Sequence, residues 1–186
     1  KHIAFASNRY GNFDIFIVAP EGGEPRRLTW HSANEYPYTF SSDNKSVILG
    51  GVRQDAASHR QYPAESQPEV YRVPVEGGKV DQLWTIPAED IKTTHDGNIF
   101  IYHDKKGGEN SWRKHHTSSI ARDIWTYDKI ADKHTMITSF RGEDRNPVFS
   151  PDEKSICYLS EESGSFNIFT LLLSDPLQKK QITTFK

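Results

Sequence analysis

Between residues 146 and 169, "NPVFSPDEKSICYLSEESGSFNIF" alternates short apolar and aromatic runs with polar, turn-forming clusters. This is the pattern of two strands joined by a tight turn, then a third strand after a polar loop. In "SPDEK", Pro presets φ and Asp supplies a side-chain acceptor, the chemistry that a tight turn needs. Four short strands are predicted here, at about 147–150, 155–160, 167–173 and 179–185.

The same pattern recurs along the chain. Phe149-Ser150-Pro151-Asp152 has a relative in Phe40-Ser41-Ser42-Asp43, each followed by Lys-Ser and an apolar run, and a weaker one in Thr94-His95-Asp96-Gly97. A polar residue opens an apolar-aromatic strand at Asp14-Ile15-Phe16, Glu69-Val70-Tyr71, Asp123-Ile124-Trp125 and Asn167-Ile168-Phe169. A third marker follows at Leu28-Thr29, Leu83-Trp84, Ile137-Thr138 and Ile182-Thr183, in steps of 55, 54 and 45 residues. Three markers that keep one order and nearly one period define a repeat. Gly22-Gly23 and Gly77-Gly78 punctuate the stretch between the third and fourth strands, where positive φ is wanted.

Four antiparallel strands per repeat of this length are the pattern of β-propeller blades. The predicted fold is therefore all-β, one propeller segment over residues 1–186 with repeats at about 1–35, 36–90, 91–145 and 146–186. Residue 1 falls just before a second strand, so the first blade is expected to lack its inner strand and the other three to be complete. Such a cut array is expected to be a piece of a longer propeller. The alternatives are a complete small propeller, or an assembly in which copies cover each other's open blade faces.

Composition narrows the class. Lys plus Arg number 23 against 25 Asp plus Glu, so no global field argues for nucleic acid or an anionic membrane surface. Aromatic residues reach 12%, which suits strands, and Cys157, as the only thiol, has no intrachain disulfide partner. No apolar run is long enough to predict a membrane span.

The motifs "FSPDEKSICYLS", "SNRYGNFDIF" and "RRLT" resemble the WD40-like repeats of the TolB and tricorn protease propellers. "WRKHHTSSIARDIW" (112–125) and "FRGEDRNPVFSPD" (140–152) are similar to the N-terminal propeller of tricorn-like S41 serine peptidases. The resemblance implies a six-bladed propeller within a large peptidase. Its other parts would be a second propeller, a PDZ domain and a catalytic domain, none of which is in this sequence. A non-catalytic role is implied, guiding or gating peptide substrate or product. A TolB-like propeller that binds or scaffolds another protein is the alternative. A stand-alone propeller lyase or glycosidase is a third reading, and no acid and base residues converge to support it. Expected partners are peptides or a protein, together with the parent's remaining blades and peptidase domains. An exported, periplasmic bacterial protein is expected, the alternative being a cytoplasmic one.

Candidate chemistry is sparse. No Gly-x-Ser-x-Gly elbow orders a nucleophile, so no catalytic residue is assigned. Adjacent histidines in an extended segment point to opposite sides, so His115 and His116 are expected to be poor ligands for one metal, and no His-Glu-x-x-His or paired Cys is present, so neither metal nor cofactor is expected. Gly77-Gly78-Lys79 lacks the rest of a phosphate loop, Asn44-Lys45-Ser46 fits a sequon by chance, and the insert 53–68 reads as an excursion. Arg113, Lys114 and Arg122, with His115 and His116, form a candidate basic rim for a peptide carboxylate. The competing reading is a solvated loop in which Arg122 pairs with a neighbouring carboxylate. Glu143, Asp144 and Arg145, in the connection between blades, are candidates for a ligand surface or for ties between adjacent blades, as are His31 and Glu35 in "WHSANEYP".

Overall fold

In the computed structural model, which describes residues 1–53, 67–108 and 117–186, the regular structure among the described residues is entirely β. The chain forms two compact units, residues 1–88 and 89–186.

In the first unit, β1 (Ile3–Ser7), β2 (Asp14–Val18) and β3 (Arg26–Arg27) form a three-stranded antiparallel sheet in chain order. A four-stranded sheet follows, of β4 (Glu35–Phe40), β5 (Ser46–Gly51), β6 (Glu69–Pro74) and β7 (Asp81–Trp84). The two sheets share a core in which Ile15, Ile17 and Leu28 meet Val47, Leu49, Tyr71 and Val73. Buried on both faces, β5 reads as a continuous apolar run ending in Gly50 and Gly51. A Cβ at Gly50 would lie 1.9 Å from the Tyr38 hydroxyl oxygen, so only glycine lets that ring cross the strand.

The second unit begins with β8 (Ala88–Thr93), β9 (Ile99–Asp104), β10 (Ile124–Asp128) and β11 (Lys133–Met136), one four-stranded sheet. Its other sheet is β12 (Asp144–Phe149), β13 (Ser155–Ser160), β14 (Asn167–Leu172) and β15 (Asp175–Gln181). Strict alternation on β13 buries Ile156, Tyr158 and Ser160, which face Leu171, Phe169 and Asn167 across the ladder. With Ile101 and Ile124 these apolar residues make the unit's core.

The recurring sequence markers correspond to recurring bonds. Ser41, Thr94 and Ser150 donate their hydroxyls to Asp43, Asp96 and Asp152 at 2.6, 2.5 and 2.7 Å. Each aspartate accepts the amide two residues on, from Lys45, Asn98 or Lys154. Hydrogen bonding to Ser41, Thr94 and Ser150 holds the three carboxyls below their ordinary range. The left-handed step of each turn falls on Asn44, Gly97 or Glu153, at φ of 57°, 72° and 57°. At the opposite end of the blades, Ile15, Ile124 and Ile168 donate their amides to the hydroxyls of Thr29, Thr138 and Thr183 at 2.9, 2.9 and 2.8 Å. Leu28, Ile137 and Ile182 return amide bonds to the carbonyls of the same three isoleucines. In the second sheet Trp84 stands in place of the threonine, and the β6–β7 register shifts between Val70 and Tyr71.

Two strands differ from the sequence expectation. β15 runs Asp175–Gln181 rather than 179–185 because the chain turns immediately after Leu172, pairing it with Asp175. β12 begins at Asp144 rather than 147 because Asp144 and Arg145 already pair with Ser160 and Leu159 ahead of a bulge. Of the insert, residues 54–66 lie outside the described residues.

Replacing Thr138 by Val keeps its shape but leaves the buried Ile124 amide without an acceptor, which costs about 1–3 kcal/mol. The same change at Thr183, where the bond is exposed, is expected to cost less. Urea denaturation midpoints of the two variants check the order.

Candidate functional site

The ends of β9 and the starts of β8, β10 and β12 bring charged residues together in the second unit. Glu89, second residue of β8, receives both carboxylate bonds from Lys105 Nζ, each at 3.2 Å. His103 Nε2 lies 3.4 Å from Glu89 Oε2, while His103 Nδ1 accepts the amide of Asn146 at 3.2 Å. Since Nδ1 accepts, the ring proton is on Nε2 and points to Glu89. Burial opposes ionisation of Glu89, but the His103 hydrogen bond and the charge of Lys105 outweigh it and hold the carboxyl down at about 2.

Arg122, in the loop before β10, pairs through its guanidinium with Glu143 and lies 3.8 Å from Glu89. Its own amide donates to Glu143 Oε2 at 3.2 Å, and its carbonyl accepts the amide of Asp144 at 3.0 Å. Glu143 in turn donates its amide to Glu161 Oε1 at 3.2 Å. The loop before β10 is thereby tied to the start of β12. Beside it, Lys106 Nζ reaches Asp123 at 2.5 Å, the Ala121 carbonyl at 2.8 Å and Asp104 at 3.3 Å, and Trp125 Nε1 donates to Asp104 at 3.1 Å.

The structure thus brings Arg122 and Glu143 together and sets Asp144 beside them. Arg145 turns away, its guanidinium 4.3 Å from the centre of the Phe166 ring. Asp144 is buried, and one of its carboxylate oxygens has no hydrogen-bond partner among the described residues. Burial pushes its pKa up to about 6, with Asp123 and Glu162 adding to the rise and hydrogen bonds from Ser160 and Thr138 offsetting it. Arg113, Lys114, His115 and His116 lie outside the described residues. In the first unit, Glu35 pairs with Arg53 at 2.5 Å, and His31 Nδ1 accepts the amide of Ala33.

Glu89, His103, Lys105 and Asn146 were not among the sequence candidates. One signal is backbone strain: Asp90 and Asn146 are non-glycine residues in strands at φ 54° and 56°, and the Asn146 side-chain amide donates to the Asp90 carboxylate. Chemically the cluster is a set of matched charges around a doubly engaged imidazole. No group of three His, Cys, Asp or Glu among the described residues is arranged to hold a metal ion.

Antiparallel sheets of this order, three of them closed at one end by a Ser/Thr-x-Asp turn and three closed at the other by a threonine, are propeller blades. The family described as the Tricorn protease N-terminal beta propeller domain matches residues 1–186, and the chain belongs to it. No curated protein matches the sequence. Among solved structures, TolB of Agrobacterium tumefaciens is similar at TM-score 0.71 and 15% identity, over 96% of this chain and 59% of that one. TolB of Acinetobacter baumannii gives 0.69 and 13%, over 98% and 41%. The tricorn protease gives 0.51 and 12%, over 100% and 23%. At these identities the likeness is one of fold, and the chain spans three fifths or less of each of these proteins.

The raised pKa of Asp144 predicts a sign. The folded state holds this proton more tightly than the unfolded chain, so the contribution of Asp144 to stability falls as pH rises from about 4 to about 6. Asp144→Asn is expected to remove that fall and to stabilise the chain at pH 7 on the order of 1–2 kcal/mol. Urea midpoints across that pH range check it, and an unchanged slope contradicts it.

Proposed function

We propose that this chain is a non-catalytic propeller segment of a larger, tricorn-like serine peptidase, where it guides or gates peptides. The observation that carries this reading is the match of a peptidase's propeller domain to every residue from 1 to 186. The polar cluster of the second unit supports it. The carboxylates Glu89, Glu143 and Asp123 are each matched to a cation and both nitrogens of His103 are engaged, so these groups fix the loops rather than act on a substrate. Peptide contact is then assigned to the basic residues Arg113, Lys114, His115 and His116. Arg122, engaged by Glu143, ties the chain just before β10 to the start of β12. An exported bacterial parent fits this role.

A second reading, a scaffolding propeller that binds a protein, draws on the likeness to TolB structures. Fluorescence anisotropy with a pool of short labelled peptides, followed by mass analysis of the recovered pool, separates the two. Reversible binding with the peptides intact is expected. Cleaved peptides would contradict a non-catalytic role. No peptide binding, with a folded protein captured instead, would favour the second reading.

A further inference from the structure

The second unit also holds a cavity of about 380 Å³ between the loop 117–123 and the loop 138–142, at the same end of the blades as the charged cluster. The volume is within the range of small-ligand sites. One wall is the run of hydroxyls at Thr117, Ser118 and Ser119, and another is the ring of Phe140. Arg141 completes the lining, is exposed, and makes no hydrogen bond or ion pair with the described residues. The other cation in the wall, Lys106, is committed to Asp123, Asp104 and the Ala121 carbonyl.

Both loops are held in place. Ser118 accepts the amide of Ile120 at 3.3 Å, its carbonyl accepts that of Ala121 at 3.2 Å, and Lys106 grips the same turn from below. On the other side, a Cβ at Gly142 would come within 2.4 Å of Phe140 Cε1, so glycine there lets the ring lie against the backbone as a wall. The cavity therefore offers one uncommitted guanidinium, several hydroxyls and one flat apolar surface.

We infer that this cavity binds a monocarboxylate carried on an apolar body, the carboxylate on Arg141 and the body against Phe140. A guanidinium presents a planar fork that matches a carboxylate in two parallel bonds. One uncommitted cation balances one negative charge, and Asp123 in the wall disfavours a dianion such as a phosphate monoester. Either a free organic acid or the carboxyl end of a peptide carries this group. Only the peptide source rests on the function proposed above, where the hydroxyls 117–119 would take the last peptide bond.

Titration of the ¹⁵N-labelled chain with 3-phenylpropanoate, N-acetylphenylalanine, N-acetylphenylalaninamide and phenyl phosphate, followed by amide chemical shifts, tests it. Both carboxylates are expected to bind with roughly millimolar Kd. They should shift the amides of 117–123 and 140–142, and the amide ligand should not. Arg141→Gln is expected to weaken them about tenfold and Arg141→Lys less, because the lysine keeps the charge without the fork. Equal binding of acid and amide, tighter binding of phenyl phosphate, no effect of Arg141→Gln, or no shifts at these loops would each overturn the inference. If 3-phenylpropanoate binds and N-acetylphenylalanine does not, the carboxylate site stands and the peptide reading fails at this site.

Discussion

A threonine hydroxyl accepting the amide at the start of the third strand is the interaction on which the rest of the blade depends in three of the four sheets. That amide lies at the edge of the sheet's buried zone, where an unpaired donor is costly. Thr29 and Thr138 supply the acceptor from buried positions, and Thr183 repeats it where the chain is more open. The bond fixes where the fourth strand leaves the sheet. It therefore also fixes where the loop to the next blade begins. Where Trp84 replaces the threonine, β6 and β7 carry a register shift, as β14 and β15 also do with Thr183 in place.

The two ends of a blade differ for this reason. At the Ser/Thr-x-Asp end, each turn closes on itself through bonds spanning only a few residues, and the turns holding His95 and Glu153 are further joined by that pair. At the threonine end the loops are long, and their backbones are held by side chains distant in sequence, such as Glu143 on Arg122 and His103 on Asn146. Matched charges set the loop positions, while Asp144 stays buried with one oxygen unpartnered and other unmatched groups face outward. Arg141 and the hydroxyls of 117–119 belong to that remainder.

Much of the fold was legible because strand burial leaves a period of two in the sequence, as on β13, and because the turn and threonine markers are chemical necessities at fixed places. The extent of β15 was not, since Asp175 and its neighbours look like a loop until Leu172 turns straight into them. The start of β12 was hidden by the polarity of Asp144 and Arg145, which pair on a ladder without adding to an apolar run. At the site, the sequence suggested that Arg122 pairs with a carboxylate, but not that Glu143 and Glu89 share it. Glu89 and His103 were missed because their partners lie 14 to 43 residues away, brought close by the pairing of β8 with β9 and the packing of β12 against β9. Asp144 was a candidate on position alone, and its environment is a property of burial that no motif encodes.

Amide hydrogen exchange on the intact chain tests the threonine bond most directly. The Ile15 and Ile124 amides are predicted to exchange only through opening of the whole unit, as slowly as the centres of β5 and β13, with Ile168 somewhat faster. If the Ile15 and Ile124 amides exchange as fast as those of the exposed turn at residues 129–131, the hydroxyls do not hold them, and the blade ends are fixed by something else.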